Sequence, residues 1–288
     1  MAADVGINVL RASKGAVVRS GDLLGVFYSG SLVNGDGASF DANYNFSAFE
    51  PVPARSLFTF TLGSGQVIPG WDQALAGRRL GEVLDLTIPA ALAYGSAGAP
   101  PSIPPDAPLR FRVELVGAVP SGASKAIYPS FQDLGVSTKI AAQLEKLAAK
   151  LDARKTATDG DDDLAGGAAK DLLIGLAGND WLQGGAQADV LIGGSGANQF
   201  VYEALTDSLP KRGKQDQILG FQRSIDKVDL SALSDSVVYI GKKAFSREAG
   251  EVRFVGGSLQ LDLNGNGRAD LEVLLPGVNR FSASNLLF

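Results

Sequence analysis

The chain has 288 residues, of which 45% are hydrophobic and 20% charged, with a formal net charge of −5 at pH 7. These values are typical of a soluble globular protein with room for two domains, and they give no general reason to expect a nucleic-acid partner. Cysteine and histidine are absent, which excludes disulfides, Ser-His-Asp triads and HExxH zinc sites. No uninterrupted apolar window predicts a membrane span, and the first residues do not predict a cleavable signal peptide.

Residues 1–119 are predicted to form an α+β domain in which an antiparallel sheet wraps a short helix. Alternating apolar positions in GDLLGVFYSGSLV, EVLDLTIP and LRFRVELVGA are typical of strands, and Asn34-Gly35 is a strong hairpin signal. The segment GWDQALAGRRLGE predicts the helix. Proline and glycine in GSAGAPPSIPPDAP predict a loop.

The same domain carries aromatic and apolar motifs in a fixed order: Phe40-Asp41, VIPGW at residues 67–71, LAYG at 92–95 and IPP at 103–105. Over about residues 6–118 this set resembles the FKBP-type peptidyl-prolyl cis-trans isomerases. The resemblance implies a proline pocket with Trp71 as its floor and Tyr94 as a donor to a substrate carbonyl. The pocket residues that it implies are Tyr28, Phe40, Asp41, Phe58, Val67, Ile68, Trp71, Tyr94, Ile103 and Phe111.

The chain departs from the pattern of that family in three places. Gln66 stands where glutamate is frequent, and Ala99 stands where some members carry histidine. The segment between Phe40 and Phe60 is longer than in the minimal family form, and we expect it to reshape one wall of the pocket. Phe60 itself is expected in the core. The proposed chemistry suits a chain without histidine or cysteine, because rotation about an Xaa-Pro bond needs no nucleophile.

Residues 120–156 are predicted to form a linker. PSGASK marks its start, and apolar residues at helical spacing then predict an amphipathic helix from Ser137 to Lys155. The apolar face of this helix consists of Ile140, Leu144, Leu147 and Leu151. A linker helix docked on a neighbouring domain is the preferred interpretation, and a partner-binding helix is the alternative.

A repeat of nine residues follows and opens the domain predicted for residues 157–288. Its sixth place is occupied by Asp162, Asp171, Asp180, Asp189 and Asn198. Its eighth place holds a large apolar residue each time, namely Leu164, Leu173, Leu182, Leu191 and Phe200. A glycine-rich nonapeptide makes one turn and one short strand, so two units complete one coil of a parallel β-roll and residues 18 apart stack.

Stacking would bring carboxylates together in two columns, one on each side of the roll. Residues 158–198 contain seven aspartates against Lys170 alone, and such columns repel unless a cation lies between them. Hard oxygen ligands in a flexible turn favour Ca²⁺. A glycine-rich solvated loop is the alternative, but it would not keep a large apolar residue in register through five units.

The repeat resembles the RTX, or haemolysin-type, calcium-binding motif GGxGxDxUx. The segment DSLPKRGKQDQILGFQRSIDKVDLSAL resembles the region that follows such repeats in serralysin-type proteases, where it continues the roll as a β-sandwich. The resemblance implies export by type I secretion machinery without a cleaved signal, a secreted location and folding by calcium. NLLF at residues 285–288 resembles the end of such export substrates, and Asp207 and Asp216 are possible further calcium ligands.

One more loop, DLNGNGRAD at residues 262–270, has spacing similar to an EF-hand loop. The bidentate glutamate expected at the twelfth place is Val273, so a glycine-rich hairpin is the preferred interpretation.

Three hypotheses of function remain open from the sequence. The leading hypothesis is a calcium-folded, secreted isomerase that acts on Xaa-Pro bonds of protein or peptide substrates. The alternative is a non-catalytic module or chaperone that binds proline-containing segments outside the cell. A third possibility is that the C-terminal half tethers the protein to a surface.

Overall fold

The structure is a computed structural model that describes residues 4–35, 37–52, 55–147 and 153–288. The chain divides into two compact units, Met1–Ser137 and Thr138–Phe288, and each buries its own apolar side chains. Strands predominate in both units, as the sequence predicts. Among the described residues, neither α-helix is long and apolar enough to cross a membrane.

The N-terminal unit is built on an antiparallel sheet with the strand order β1-β7-β8-β2-β3, and β6 also pairs with β2. The longest pairing joins β2 to β8 from Leu23↔Val119 to Leu32↔Leu109. The strands are β1 (Gly6–Arg11), β2 (Leu23–Leu32), β3 (Ser39–Ala42), β4 (Tyr44–Asn45), β5 (Glu50–Pro51), β6 (Phe58–Thr61), β7 (Val83–Ile88) and β8 (Leu109–Val119).

A single helix, α1 (Pro69–Leu75), packs on this sheet. Proline at the first position begins the helix, because its fixed φ suits a helix start and its missing N–H is not needed there. Trp71 and Leu75 are buried in the same core as the sheet residues. Gly70 permits the close approach, because a Cβ atom at this position would overlap the Ile88 side chain. The predicted antiparallel sheet with one short helix is therefore present.

The segment between Phe40 and Phe60 folds into the small hairpin β4–β5. Its Tyr44 ring stacks on Phe27, with centroids 4.5 Å apart, and the Arg112 guanidinium lies 5.9 Å from the centre of the Phe46 ring. Phe27 and Tyr28 are neighbours in β2, so their side chains point to opposite faces, and Tyr28 faces α1. The hairpin rings Tyr44 and Phe46 thus cover the outer face, whereas Phe58, from the end of the same segment, lies edge-on to Trp71 on the pocket side.

The C-terminal unit begins with α2 (Thr138–Leu147). The helix predicted to continue to Lys155 does not do so, because Ala153–Thr156 is strand β9 and pairs in parallel with β11. Ile140 and Leu144 lie in the described part of the helix, whereas the side chains of Leu147 and Leu151 lie outside the described residues. Residues 120–137 belong to the N-terminal unit, where Ile127 pairs with Ala118.

Short strands after α2 alternate between two sheets. One sheet is parallel throughout and has the order β10-β12-β14-β16-β21, and the other contains the parallel run β9-β11-β13-β15-β20. The strands are β10 (Asp163–Gly167), β11 (Asp171–Ile174), β12 (Trp181–Gly185), β13 (Val190–Ile192), β14 (Gln199–Val201), β15 (Asp216–Ile218), β16 (Lys227–Asp229), β17 (Val238–Gly241), β18 (Glu251–Val255), β19 (Ser258–Asp262), β20 (Leu271–Leu274) and β21 (Leu286–Leu287).

The pairing within the repeat has the offset of 18 residues that the nonapeptide period predicts. Leu164 pairs with Leu182 and Leu173 pairs with Leu191, and all four side chains are buried. The second sheet then changes to antiparallel pairing through β20, β19 and β18.

Candidate functional site

Four rings from four different elements meet above α1. Trp71 comes from the helix, Tyr28 from β2, Phe58 from β6 and Phe111 from β8. Tyr28 and Phe111 stand nearly perpendicular to the indole, with centroids 5.5 Å and 5.3 Å away and interplanar angles of 81° and 89°. Phe58 is also edge-on to the indole at 6.1 Å. Edge-to-face contacts of this kind fix the rings relative to one another.

The remaining apolar residues implied by the resemblance lie around these rings. Phe40 is edge-on to Phe111 at 5.7 Å. Val67 and Ile68, which precede α1, and the buried Ile103 pack against the same core. Trp71 is only 3% exposed, whereas Phe58 and Tyr94 are 37% and 42% exposed. The arrangement therefore has a buried indole as its floor and accessible rings at its edge.

A hydrogen-bonded pair stands at the rim of this pocket. The Tyr28 hydroxyl donates to Asp41 Oδ2 at 2.7 Å. Burial is the largest cause that raises the pKa of Tyr28 above its ordinary value. The hydrogen bond to Asp41, the negative charge of Asp41 and the nearby Tyr94 raise this pKa further. Tyr28 therefore stays a neutral donor at physiological pH. Arg55, which sequence reasoning missed, approaches Asp41 Oδ1 at 3.7 Å.

Two features of the pocket could not be read from the motifs. The Trp71 Nε1 atom is buried and has no hydrogen-bond partner in the described part of the chain. Asn43 is buried, and its Oδ1 atom accepts a hydrogen bond from the backbone N–H of Tyr28. An asparagine in a loop carries no signal of its own in a sequence, so only the folded neighbours identify its role.

The repeat brings its sixth-place residues together in two columns. In one column, Asp180 Oδ1 accepts the backbone N–H of Asp162 at 3.0 Å, and Asn198 Oδ1 accepts that of Asp180 at 3.0 Å. In the other, Asp189 Oδ1 accepts the N–H of Asp171 at 2.8 Å. Each acceptor thus uses Oδ1 to hold the preceding coil, which leaves the second carboxylate oxygen of Asp180 and of Asp189 for another partner.

The second oxygens of Asp180 and Asp189 are buried, with no hydrogen-bond partner among the described residues. Burial raises the pKa of each carboxyl to about 7. Asp180 Oδ2 and the Gly193 carbonyl oxygen both lie where a Cβ atom on Gly175 would be, so only glycine fits beside them. A buried carboxylate oxygen next to backbone carbonyl oxygen is the donor set that suits a hard cation such as Ca²⁺.

The columns supply a limited number of carboxylates at any one point. Within the described ranges no group of three or more acidic side chains converges in a way that could hold a metal ion. A cation in the columns would therefore depend on backbone carbonyls for most of its ligands, which is a coordination mode that Ca²⁺ accepts. The oxygen donors of the columns therefore fit such an ion.

Both columns continue past the repeat, which the period of nine did not predict. Asp216 Oδ1 accepts the N–H of Asp189, 27 residues earlier, and Asp226 Oδ1 accepts the N–H of Asn198, 28 residues earlier. Sequence reasoning missed Asp226. Its signal is the same pattern of aspartate, any residue and a large apolar residue, here Asp226-Lys227-Val228.

Two other acidic positions have local structural roles. Asp207 Oδ2 accepts the backbone N–H groups of Glu203 and Ala204. In the loop between β19 and β20, Asp262 accepts three backbone N–H groups, from Gly265, Asn266 and Gly267. Both Asp262 oxygens thus close a glycine-rich turn between β19 and β20, which agrees with the hairpin interpretation of this loop.

The N-terminal unit thus combines an antiparallel sheet and one short helix with rings edge-on to a buried indole and a tyrosine–aspartate pair at the rim, which is the arrangement that the resemblance to FKBP-type peptidyl-prolyl isomerases implies. Residues 15–116 match the family model described as FKBP-type peptidyl-prolyl cis-trans isomerase. Residues 157–287 match the model described as the C-terminal region of peptidase M10 serralysins. The enzyme family predicted for the N-terminal segment and the serralysin-like character of the C-terminal region are confirmed.

Curated relatives match the same N-terminal segment. The Mus musculus peptidyl-prolyl cis-trans isomerase FKBP2 is 47% identical over 98 residues, which are 34% of this chain and 63% of the relative. The Saccharomyces cerevisiae isomerase FPR2 is 48% identical over 96 residues, 33% of this chain and 64% of the relative. FK506-binding protein 4 of Dictyostelium discoideum is 46% identical over 107 residues, 37% and 26% respectively. The chain spans less than two thirds of the length of these relatives.

Proposed function

We propose that the N-terminal unit catalyses cis-trans isomerisation of Xaa-Pro bonds in protein or peptide substrates. The observation that carries this proposal is the set of rings held edge-on to the Trp71 indole, with the neutral Tyr28 hydroxyl bonded to Asp41 at the rim. Ten residues are proposed to line the site: Tyr28, Phe40, Asp41, Phe58, Val67, Ile68, Trp71, Tyr94, Ile103 and Phe111.

The proposed mechanism uses shape and desolvation. Amide resonance opposes rotation of the Xaa-Pro bond with a barrier of about 18–20 kcal/mol. In the twisted transition state the C–N bond has lost double-bond character and the carbonyl oxygen has less negative charge. An aromatic pocket with Trp71 as its floor and Phe58 and Phe111 beside it therefore excludes water and favours the twisted form over the planar amide. The exposed Tyr94 hydroxyl is the proposed donor that orients the substrate carbonyl.

The test is NMR exchange spectroscopy on a short Xaa-Leu-Pro-Phe peptide with the full chain. We expect a faster cis-trans exchange that Trp71→Ala combined with Tyr94→Phe abolishes. Phe46→Ala is the matched control, since Phe46 is an aromatic residue of the same unit that contacts Tyr44 and Arg112 on the outer face, and it should leave exchange unchanged. Peptide binding without faster exchange would replace the isomerase with the binding module.

We further propose that the residues from Ala157 onward form a calcium-binding β-roll that continues into a β-sandwich. The parallel pairing at an offset of 18 residues and the two columns support the roll. The buried, unpartnered oxygens of Asp180 and Asp189 support the ion. The proposed ligand residues are Asp162, Asp171, Asp180, Asp189 and Asn198. Bound Ca²⁺ would supply the positive charge that lets neighbouring carboxylates stay ionised in a buried setting.

Calcium titration of Asp180→Asn tests this part of the proposal. The substitution keeps Oδ1 as an acceptor for Asp162 N–H and removes the charge, so calcium affinity should fall about tenfold or more, as expected when a site loses a charged ligand. Asp235→Asn is the control, because Asp235 is an exposed aspartate of the same unit. Calcium affinity that is equal in both variants, or no calcium binding by the natural chain, would contradict the assignment.

We propose, finally, that the protein is secreted by type I export machinery and folds outside the cell. Support comes from the serralysin-type match of residues 157–287. The expected outcome is that the chain reaches the culture medium of a host that carries a type I exporter and stays inside an otherwise identical host without it. Equal amounts in the medium of both hosts would refute the export route.

A further inference from the structure

The edge of strand β2 changes partner beside the pocket. Residues 29–31 of β2 pair with β3, and residues 23–26 pair with β6. Phe27 and Tyr28 lie between these two pairings, and no strand of the described residues pairs with them on that side. Unpaired backbone groups at a buried position would destabilise the sheet, so the gap needs another partner.

The side chain of Asn43 occupies this gap. Asn43 Oδ1 accepts the Tyr28 backbone N–H at 2.6 Å, and Asn43 Nδ2 donates to the carbonyl oxygens of Val26 at 3.0 Å and Ser56 at 3.2 Å. The residue is only 4% exposed. One side chain therefore takes the place of a strand partner and ties β2 to Ser56, two residues before β6, which needs an amide with an acceptor and two donors.

The backbone of Asn43 adds to the same connection. Its N–H donates to the Tyr28 carbonyl at 3.0 Å, and its own carbonyl accepts the N–H of Val52 at 3.0 Å. Both backbone groups of Tyr28 are thus bonded to Asn43. Asp41, which accepts the Tyr28 hydroxyl, lies two residues before Asn43 in the chain.

We propose that Asn43 is a positioning residue of the isomerase site, which holds Tyr28 and Asp41 in place against the Trp71 indole. This inference rests on the proposed function of the pocket. The Tyr28 ring lies edge-on to Trp71 at 5.5 Å. On one side of β2, strand β8 places Val113 opposite Tyr28, and on the other side Asn43 bonds both backbone groups of Tyr28. Asn43 acts through Tyr28 and is not itself a catalytic residue.

Asn43→Asp is the most informative substitution. Aspartate has the same shape and keeps the acceptor for Tyr28 N–H, but it cannot donate to Val26 and Ser56, so two carbonyls lose their partner and face a carboxylate. A displacement of the order of 1 Å in a positioned group can cost about 100-fold in rate. We expect kcat/KM for the proline peptide to fall about tenfold or more, mainly in kcat, because Trp71 and Phe111 still offer the apolar floor.

Asn45→Ala is the matched control. Asn45 is an exposed asparagine of the same hairpin, and its side chain accepts only the local N–H groups of Ser47 and Ala48. The full chain of each variant is compared with the natural chain by NMR exchange on the peptide and by the positions of the Tyr28 ring and Trp71 indole signals. We expect both readouts to change in Asn43→Asp and neither to change in Asn45→Ala.

A second measurement on the natural chain guards against a variant that does not fold. The Tyr28 amide should exchange with solvent as slowly as amides in the β2–β8 ladder, because its acceptor is a buried side chain. Fast exchange of the Tyr28 amide overturns the proposal, as does a folded Asn43→Asp chain with natural kcat/KM and unshifted Tyr28 and Trp71 signals. A natural chain without isomerase activity overturns the proposed function instead, and then Asn43 has no reaction to serve.

Discussion

At the scale of single residues, the pair of Tyr28 and Asp41 shows how burial sets chemistry in the pocket. Burial and the bond to Asp41 raise the pKa of Tyr28 above its ordinary value of 10.0. The native state therefore keeps the tyrosine proton at a pH where the unfolded chain loses it. Stability that comes from this group is present below about pH 10 and is lost as the pH rises further.

We therefore expect the free energy of unfolding of the N-terminal unit to fall above about pH 10, and to fall less in Tyr28→Phe, which has no proton to lose. Urea unfolding at neutral and at alkaline pH, followed by circular dichroism, measures the difference. Asp41→Asn should lower the pKa of Tyr28 in an ultraviolet titration, because the negative charge beside the hydroxyl is removed. Equal alkaline losses in the natural chain and in Tyr28→Phe would contradict this account.

The indole of Trp71 gives a second prediction at this scale. Its Nε1 donor is buried without a partner among the described residues, and an unsatisfied buried donor costs about 1–3 kcal/mol. Trp71→Phe removes that donor and keeps a ring, so we expect a much smaller loss of stability than in Trp71→Ala, for which about 3–5 kcal/mol is typical. Urea unfolding of both variants measures the two losses of stability. Equal losses in Trp71→Phe and Trp71→Ala would show that the Trp71 Nε1 donor has a hydrogen-bond partner in solution.

At the scale of elements, α1 can approach the sheet only because Gly70 has no side chain. A Cβ atom there would overlap the Ile88 side chain and crowd the Leu92 carbonyl oxygen. Since Trp71 follows directly, the contact that places the helix also places the floor of the pocket. The glycine of VIPGW is thus explained by packing, and the tryptophan by the site.

Gly70→Ala should therefore destabilise the N-terminal unit by about 1–3 kcal/mol, the usual cost of overpacking, although alanine favours helices more than glycine does. It should also reduce isomerase activity, because the indole must move with the helix. Gln73→Ala is the control, as Gln73 lies on the exposed side of the same helix. Thermal unfolding of the two variants gives the comparison, and a Gly70→Ala chain as stable as the control would mean that the helix can shift freely.

At the scale of the whole molecule, the two tryptophans report on different units, since Trp71 lies in α1 and Trp181 in β12. Stabilisation by a ligand depends on binding to the native state, and amounts to about 2.7 kcal/mol at a concentration 100 times the Kd. Calcium held in the columns would stabilise only the unit that contains them. The N-terminal unit has its own core and no share in the columns.

We expect calcium to raise the unfolding temperature that Trp181 fluorescence reports in a Trp71→Phe chain. The unfolding temperature that Trp71 fluorescence reports in a Trp181→Phe chain should stay unchanged. Fluorescence melting of both chains with and without calcium makes the comparison. An equal shift of both signals would show that the units unfold together, and no shift of either would refute calcium binding.

The elements predicted best from the sequence depend on local or periodic information. The offset of 18 residues between paired strands follows from a nonapeptide that makes one turn and one strand. The rings that meet at Trp71 could be named because their motifs occur in a fixed order that resembles one family. The segment GWDQALAGRRLGE correctly predicts that a helix is present, but the helix ends at Leu75, so residues 76–82 of the predicted helix are not helical.

The features that only the tertiary structure decided depend on contacts between distant segments. Ala153, Arg154 and Lys155 fall in the end of the predicted helix, yet Ala153–Thr156 forms a strand because it pairs with β11, 18 residues later. The hairpin after Phe40 covers the outer face because Phe27 offers a ring there. Asn43 and Asp226 acquire their roles from backbone N–H groups that stand 15 and 28 residues away. A pattern within one segment can specify the period and chemistry of that segment, whereas a partner for an unpaired backbone group is chosen only when the chain has closed around it.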